Sequence, residues 1–197
     1  MKLIVITSPL FIGDEASYIT SMLQKGIDLV HLRKPKSSPR DCAKLLDAIP
    51  EELHQRIVIH YHHCLCADYH LGGIHISPFH MNEQTHRCNG TVSRSCHSFD
   101  EIENVKSYYD YLFLSPIFNS ISKQGYHVAF SASQLQEAQQ KGIIDNKVVA
   151  LGGITANNLS TVKQLGFGGA ALLGDVWQHA GTKKLDDYLE KLISQIK

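Results

Sequence analysis

Eight short apolar runs recur along this chain, and most of the gaps between them have helical spacing. The runs are KLIVITS (2–8), LVHLRK (29–34), RIVIHYH (56–62), GIHISP (73–78), TVSRSCH (91–97), YLFLSPIF (111–118), KVVALGG (147–153) and GGAALLG (168–174). Mostly continuous apolar runs of this length are expected of strands buried on both faces. Between them, GDEASYITSMLQKG places Ala16, Ile19, Met22 and Leu23 on one helical face and stops at Gly26. SSPRDCAKLLDAIP has Pro39 near a helix start and Pro50 past its end. Ser98 followed by Glu101 reads as a capping box. Ser131 or Ser133 caps the helix that ends at Gly142, TANNLSTVKQLG forms the next, and a last helix covers 183–197. Strand alternating with helix dictates a parallel sheet. Eight such units predict a single (β/α)8 TIM barrel over residues 1–197. The chain is short for that fold, so 64–71, with room for two helical turns, and the irregular 79–90 are expected to be trimmed connections. The rival is an open doubly wound sheet.

Composition removes several classes of function. Lysine plus arginine and aspartate plus glutamate both number 19, so the formal charge is zero and no basic surface for nucleic acid is expected. No apolar run approaches the ~20 residues of a membrane span. MKLIVITSPLF reads as a first strand, not as a signal peptide. The five cysteines are odd in number and lack a framework spacing, which predicts reduced thiols in a cytoplasmic protein. A homodimer is compatible with the sequence.

A barrel places its chemistry at the C-terminal ends of its strands. That rule selects His31, Arg33 and Lys34 after the second run, His60, Tyr61 and His62 after the third, and His75, Ser77 and His80 after the fourth. It selects Arg94, Ser95 and His97 after the fifth, and Ser120, Ser122 and Lys123 after the sixth. The seventh and eighth end in Gly152-Gly153 and Gly174, where backbone N–H groups can cradle a phosphate. The loop FNSISKQG offers hydroxyls, a lysine and Gly125, a set suited to phosphate or pyrophosphate. Glycines serving tight turns and a solvated loop lysine are the plainer alternatives.

HLRKP at 31–35, SRSCHSFDE at 93–101, LSPIFNSISKQG at 114–125 and VVALGGITANN at 148–158 resemble, in order, the thiamin phosphate synthase/TenI family. The resemblance implies a (β/α)8 barrel. It implies a transferase of thiamin biosynthesis that joins hydroxymethylpyrimidine pyrophosphate to thiazole phosphate and releases pyrophosphate. By resemblance Arg33 faces the pyrophosphate, Ser95 lies by the pyrimidine, and Ser120, Ser122 and Lys123 hold pyrophosphate. Gly153 and Gly174 fall at the thiazole phosphate. Arg33, Lys34 and Lys123 would stabilise the leaving group, with His31 and His60 beside the substrate.

Other positions depart from the family. Its Mg2+-binding aspartates correspond to Tyr61, next to His60, and to His80. Magnesium prefers carboxylates, so these replacements count against it, and a softer ion on His60, His62 and His80 is chemically allowed. HYHHCLCADYH (60–70) matches no structural zinc spacing. The TenI-type branch, which aromatises a thiazole phosphate, uses a histidine where this chain has Pro116; His97 or His31 would have to replace it. Three readings stand: synthase-like transferase, thiazole-phosphate tautomerase, and non-catalytic binder of a thiamin-related phosphate.

Overall fold

The computed structural model describes residues 1–77, 88–119, 130–182 and 184–196. Its strands are β1 (Lys2–Ile6), β2 (Leu29–Leu32), β3 (Ile57–Ile59), β4 (Gly73–Ile76), β5 (Thr91–Cys96), β6 (Tyr111–Leu114), β7 (Val148–Leu151) and β8 (Gly169–Leu172). They pair in sequence order, all parallel, and β8 returns to β1 with Lys2 opposite Gly169 and Val5 opposite Leu172. The closed (β/α)8 barrel is therefore the fold, and the open sheet is excluded.

Alternation along each strand divides the core in two. Leu3, Val5, Val30, Leu32, Ile57, Ile59, Leu112 and Leu114 face outward into one apolar layer with the helices. Ile4, Ile6, Tyr111, Phe113, Val149 and Ala171 form a separate inner cluster, with Leu29, Leu151 and Leu173 against it. That inner cluster draws on β1, β6, β7 and β8. The β2–β5 side of the lumen is filled differently, by the side chains of the site.

The helices are α1 (Glu15–Lys25), α2 (Pro39–Asp47), α3 (Cys64–Asp68), α4 (Phe99–Val105), α5 (Ala132–Gln140), α6 (Leu159–Gln164), α7 (Gly174–Trp177) and α8 (Lys184–Ser194). Pro39 opens α2 behind a complete Ser38–Asp41 capping box, and Ser131 rather than Ser133 caps α5. Ser98 Oγ accepts from Glu101 N at 3.1 Å as expected, but the return bond goes to a different donor: Glu101 Oε2 accepts from His97 N at 2.8 Å. The expected α3 is a short helix of five residues. The brief α7 carried no sequence signal; Trp177 Nε1 at its end donates to Ile6 O at 2.7 Å and ties it to β1.

One expectation is corrected here. Cys66 on α3 and Cys88, ahead of β5, are joined in a disulfide with Cα atoms 5.7 Å apart, while Cys42, Cys64 and Cys96 are free. The two partners are separated by 22 positions, and the pairing of β5 beside β4, with Thr91 opposite Gly73, brings the segments ahead of the two strands together.

Candidate active site

Three imidazoles meet in the lumen. His31 lies on β2, His60 immediately follows β3, and His75 lies on β4. His31 Nδ1 is 2.9 Å from His60 Nε2, and His31 Nε2 is 2.8 Å from the Tyr111 hydroxyl on β6. The His60 and His75 rings stack with centroids 4.1 Å apart. His31 meets Phe113 edge-on at 4.9 Å. His75 Nδ1 is 2.9 Å from Ser93 Oγ, and its Nε2 is 3.0 Å from Ser95 Oγ, both hydroxyls coming from β5. Period-two alternation puts all these groups on the inner face, because residues two apart on a strand share a face.

Burial sets the charge of this cluster. Removal from water holds the imidazoles of His31 and His60 well below their ordinary pKa, and repulsion from His75 adds to both. His75 is lowered to about 3, first by burial and then by His63 and the Arg33 guanidinium. Burial pushes the Tyr111 phenol up to about 12. All four groups are therefore neutral near pH 7. Each neutral imidazole has one donor and one acceptor, so the Tyr111–His31–His60 chain holds its protons in one of two opposite directions.

Around the rim, the Arg33 backbone is held by its N–H donating to Thr7 Oγ1 at 2.9 Å, and its guanidinium is near enough to His60 and His75 to oppose their protonation. His97 is exposed at the end of β5, its Nδ1 3.0 Å from the Ser115 carbonyl oxygen. Gly152 and Gly153 adopt φ of 93° and 65°, in the left-handed region that favours glycine. A Cβ on Gly153 would lie 2.6 Å from Asn119 O, so the segment leaving β6 rests directly on this turn. Thr155 N donates to Asn158 Oδ1 and Ala156 N to Asp175 Oδ2, so those amides are occupied. The amides of Gly153, Ile154 and Gly174 find no acceptor among the described residues.

Two of the expected site residues are buried. Lys34 was expected beside a pyrophosphate, but its ammonium is 1% exposed and fully engaged: both Glu15 carboxylate oxygens at 2.6 and 2.7 Å, and the Ser8 and Leu10 carbonyls at 2.8 Å each. It is a buried structural cation that fixes the β1–α1 loop. His31, expected beside the substrate, is wholly buried with both ring nitrogens bonded to protein. His62 turns away from the cluster, its Nε2 2.9 Å from Ser37 O. His80, Ser120, Ser122 and Lys123 lie outside the described residues. Sequence position alone singled out His75 and gave it no role, and Ser93, Tyr111 and Glu15 were missed. The signal for the lumen residues was present: polar residues at alternate places in otherwise apolar strands.

The comparisons with known proteins bear on this arrangement. Residues 3–176 match the family described as thiamine monophosphate synthase. This chain belongs to the thiamine monophosphate synthase family. A thiamine-phosphate synthase of Latilactobacillus sakei is 28% identical over 169 residues, covering 79% of this chain and 75% of that protein. One from Chlamydia abortus is 25% identical over 183 residues, covering 88% and 85%. The crystal structure of a thiamine phosphate pyrophosphorylase from Bacteroides thetaiotaomicron is 40% identical, with a TM-score of 0.89, covering 100% of this chain and 98% of that one. A thiamine phosphate pyrophosphorylase from Pyrococcus furiosus, 19% identical with a TM-score of 0.76 over 99% and 95% of the chains, shares the fold.

The magnesium implied by resemblance to the synthase family does not fit the donors described. Mg2+ asks for near-octahedral oxygen ligation, chiefly from carboxylates and water. Among the described residues, the group of three His, Cys, Asp or Glu side chains gathered closely enough to share an ion is His31, His60 and His75. It supplies three nitrogens and no oxygen. No helix described is long and apolar enough to cross a membrane.

Proposed function

We propose that this chain is a thiamin phosphate synthase: it joins hydroxymethylpyrimidine pyrophosphate to thiazole phosphate. The lone pair of the thiazole nitrogen forms a C–N bond to the pyrimidine methylene carbon. The bond from that carbon to the pyrophosphate oxygen breaks, and its electron pair leaves with pyrophosphate. The observation that carries this reading is the 40% identity over the whole chain to the Bacteroides pyrophosphorylase.

The rim supports it chemically. Arg33 is the cation placed to stabilise charge as it grows on the departing pyrophosphate, and Lys123 is its proposed partner. The open amides of Gly153, Ile154 and Gly174 receive the thiazole phosphate. Ser95 faces the pyrimidine from β5 and is itself held by His75 Nε2 at 3.0 Å. His97 stands at the rim as a proton carrier for the leaving group. The reaction makes small phosphate and pyrophosphate esters the partners of this protein and the cytoplasm its place of work.

The test is to mix the purified chain with both substrates and follow thiamin phosphate and pyrophosphate release together. Equimolar formation of the two products is expected. Arg33→Gln should lower kcat/KM at least a hundredfold. Lys123→Ala should weaken the pyrophosphate ester far more than the monophosphate. Tight binding of thiazole phosphate with proton exchange but no coupling would replace this reading with the tautomerase.

A further inference from the structure

The inner face of the barrel is aliphatic and aromatic on β1, β6, β7 and β8, yet on β2–β5 it holds three imidazoles. Burying such groups costs free energy unless each polar atom is satisfied. Here the satisfaction is arranged in a particular way. One nitrogen of each of His31, His60 and His75 lies within 4.8 Å of the others. On His31 and His75 an outer oxygen holds the opposite ring nitrogen: Tyr111 Oη at 2.8 Å from His31 Nε2 and Ser93 Oγ at 2.9 Å from His75 Nδ1. That is the outer support of metal-binding histidines, whose second N–H is held by an oxygen. A fourth imidazole, His63, opposes protonation of His60 and His75, and its Nδ1 is buried with no hydrogen-bond partner among the described residues.

We infer that His31, His60 and His75 form a binding site for a borderline divalent transition ion of the zinc class, inside the barrel. Imidazole nitrogens suit such ions, as they do not suit magnesium. The ligating atoms are His31 Nδ1, His60 Nε2 and His75 Nε2. The hydrogen bond between His31 and His60 and that between His75 and Ser95 open on binding. Zn–N bonds of 2.0–2.1 Å at a tetrahedral angle put ligand nitrogens about 3.3 Å apart. The 2.9 Å His31–His60 pair therefore widens slightly and the longer separations shorten. Three protein ligands leave a fourth position open, the pattern of a reactive rather than a structural site. His60, directly after β3 and 8% exposed, marks the way in from the rim.

The experiment uses the full chain, stripped of metal by chelator and titrated with Co2+ without substrates. The visible absorption of a low-coordinate cobalt ion should appear, saturate at one ion per chain, and bleach when Zn2+ displaces it. Zn2+ should also raise the thermal midpoint. The double substitution His31→Asn with His75→Asn should weaken Co2+ binding at least a hundredfold. Tyr111→Phe, nearly isosteric, should weaken it about tenfold or more by freeing His31 Nε2. His62→Asn, outside the cluster, should leave it unchanged. Absence of the absorption overturns the site. So does unchanged affinity in the double variant or in Tyr111→Phe, and so does loss in His62→Asn, which would move the ion elsewhere. Because no substrate is present, failure here leaves the synthase reading standing, and failure of product formation leaves the metal site standing.

Discussion

Lys34 and Glu15 are 1% and 3% exposed, and neither has water to fall back on. Burial raises the Glu15 carboxyl pKa and lowers that of the Lys34 ammonium, and their mutual attraction opposes both shifts. Such a pair gives little net stability against an apolar substitute, but removing one partner strands the other, at a cost of about 3–5 kcal/mol. Glu15→Gln should therefore lower the urea midpoint by that equivalent, whereas Glu15→Leu with Lys34→Met should recover most of it. A double variant as unstable as the single one would refute this account. The free thiols follow the same logic of burial. Burial pushes Cys96 up to about 11 and raises Cys42, while Cys64 is exposed. A thiol with a pKa near 11 is thiolate in about one molecule per thousand at pH 8. Iodoacetamide at pH 8 should label Cys64 alone in the folded protein and add Cys42 and Cys96 after denaturation. Labelling of Cys96 under native conditions would contradict the packing described.

Among the elements, Cys66 on α3 and Cys88 ahead of β5 are joined covalently, and the loop they close contains β4. Closing 22 positions of chain removes unfolded-state freedom equivalent to ~3 kcal/mol in the chain-entropy account. Cys88→Ser should reduce stability by up to that amount in non-reducing urea melts. Equal midpoints for the two proteins would show that the bond constrains nothing. Helix caps were the most readable features at this scale. Ser38, Ser98 and Ser131 each accept a backbone N–H at the N-terminus of their helix. The cap signal is local, so it survives without tertiary information, whereas Glu101 was free to choose between two neighbouring amides and took His97 N.

Across the whole molecule, the barrel closes where β8 meets β1, and α8 packs against α1, the first helix. Leu185, Leu189, Leu192 and Ile193 of α8 are buried, and Lys25 reaches Glu190 at 3.4 Å across the same contact. The last helix thus joins the two ends of the chain. Leu189 is wholly buried, so Leu189→Ala should cost about 2–5 kcal/mol, and the loss should appear as one cooperative transition because the helix is part of the common core. A separate early transition would instead make α8 an independent unit.

The sequence alone determined the order of the strands and of most helices, the closed parallel barrel and the family. These rest on local spacing, on caps and on strands buried on both faces, all of which are written in contiguous residues. Tertiary structure alone decided what each polar group meets. Lys34 and Arg33 are neighbours in the chain with alternate directions, so one enters a buried pair with Glu15 and the other stands near His60 and His75. His31, His60 and His75 lie far apart in sequence, and they converge because three adjacent parallel strands carry them on one face. Cys66 and Cys88 looked unpaired for the same reason. Pairing across distant segments depends on strand register and side-chain direction, and a linear pattern holds neither until the barrel closes.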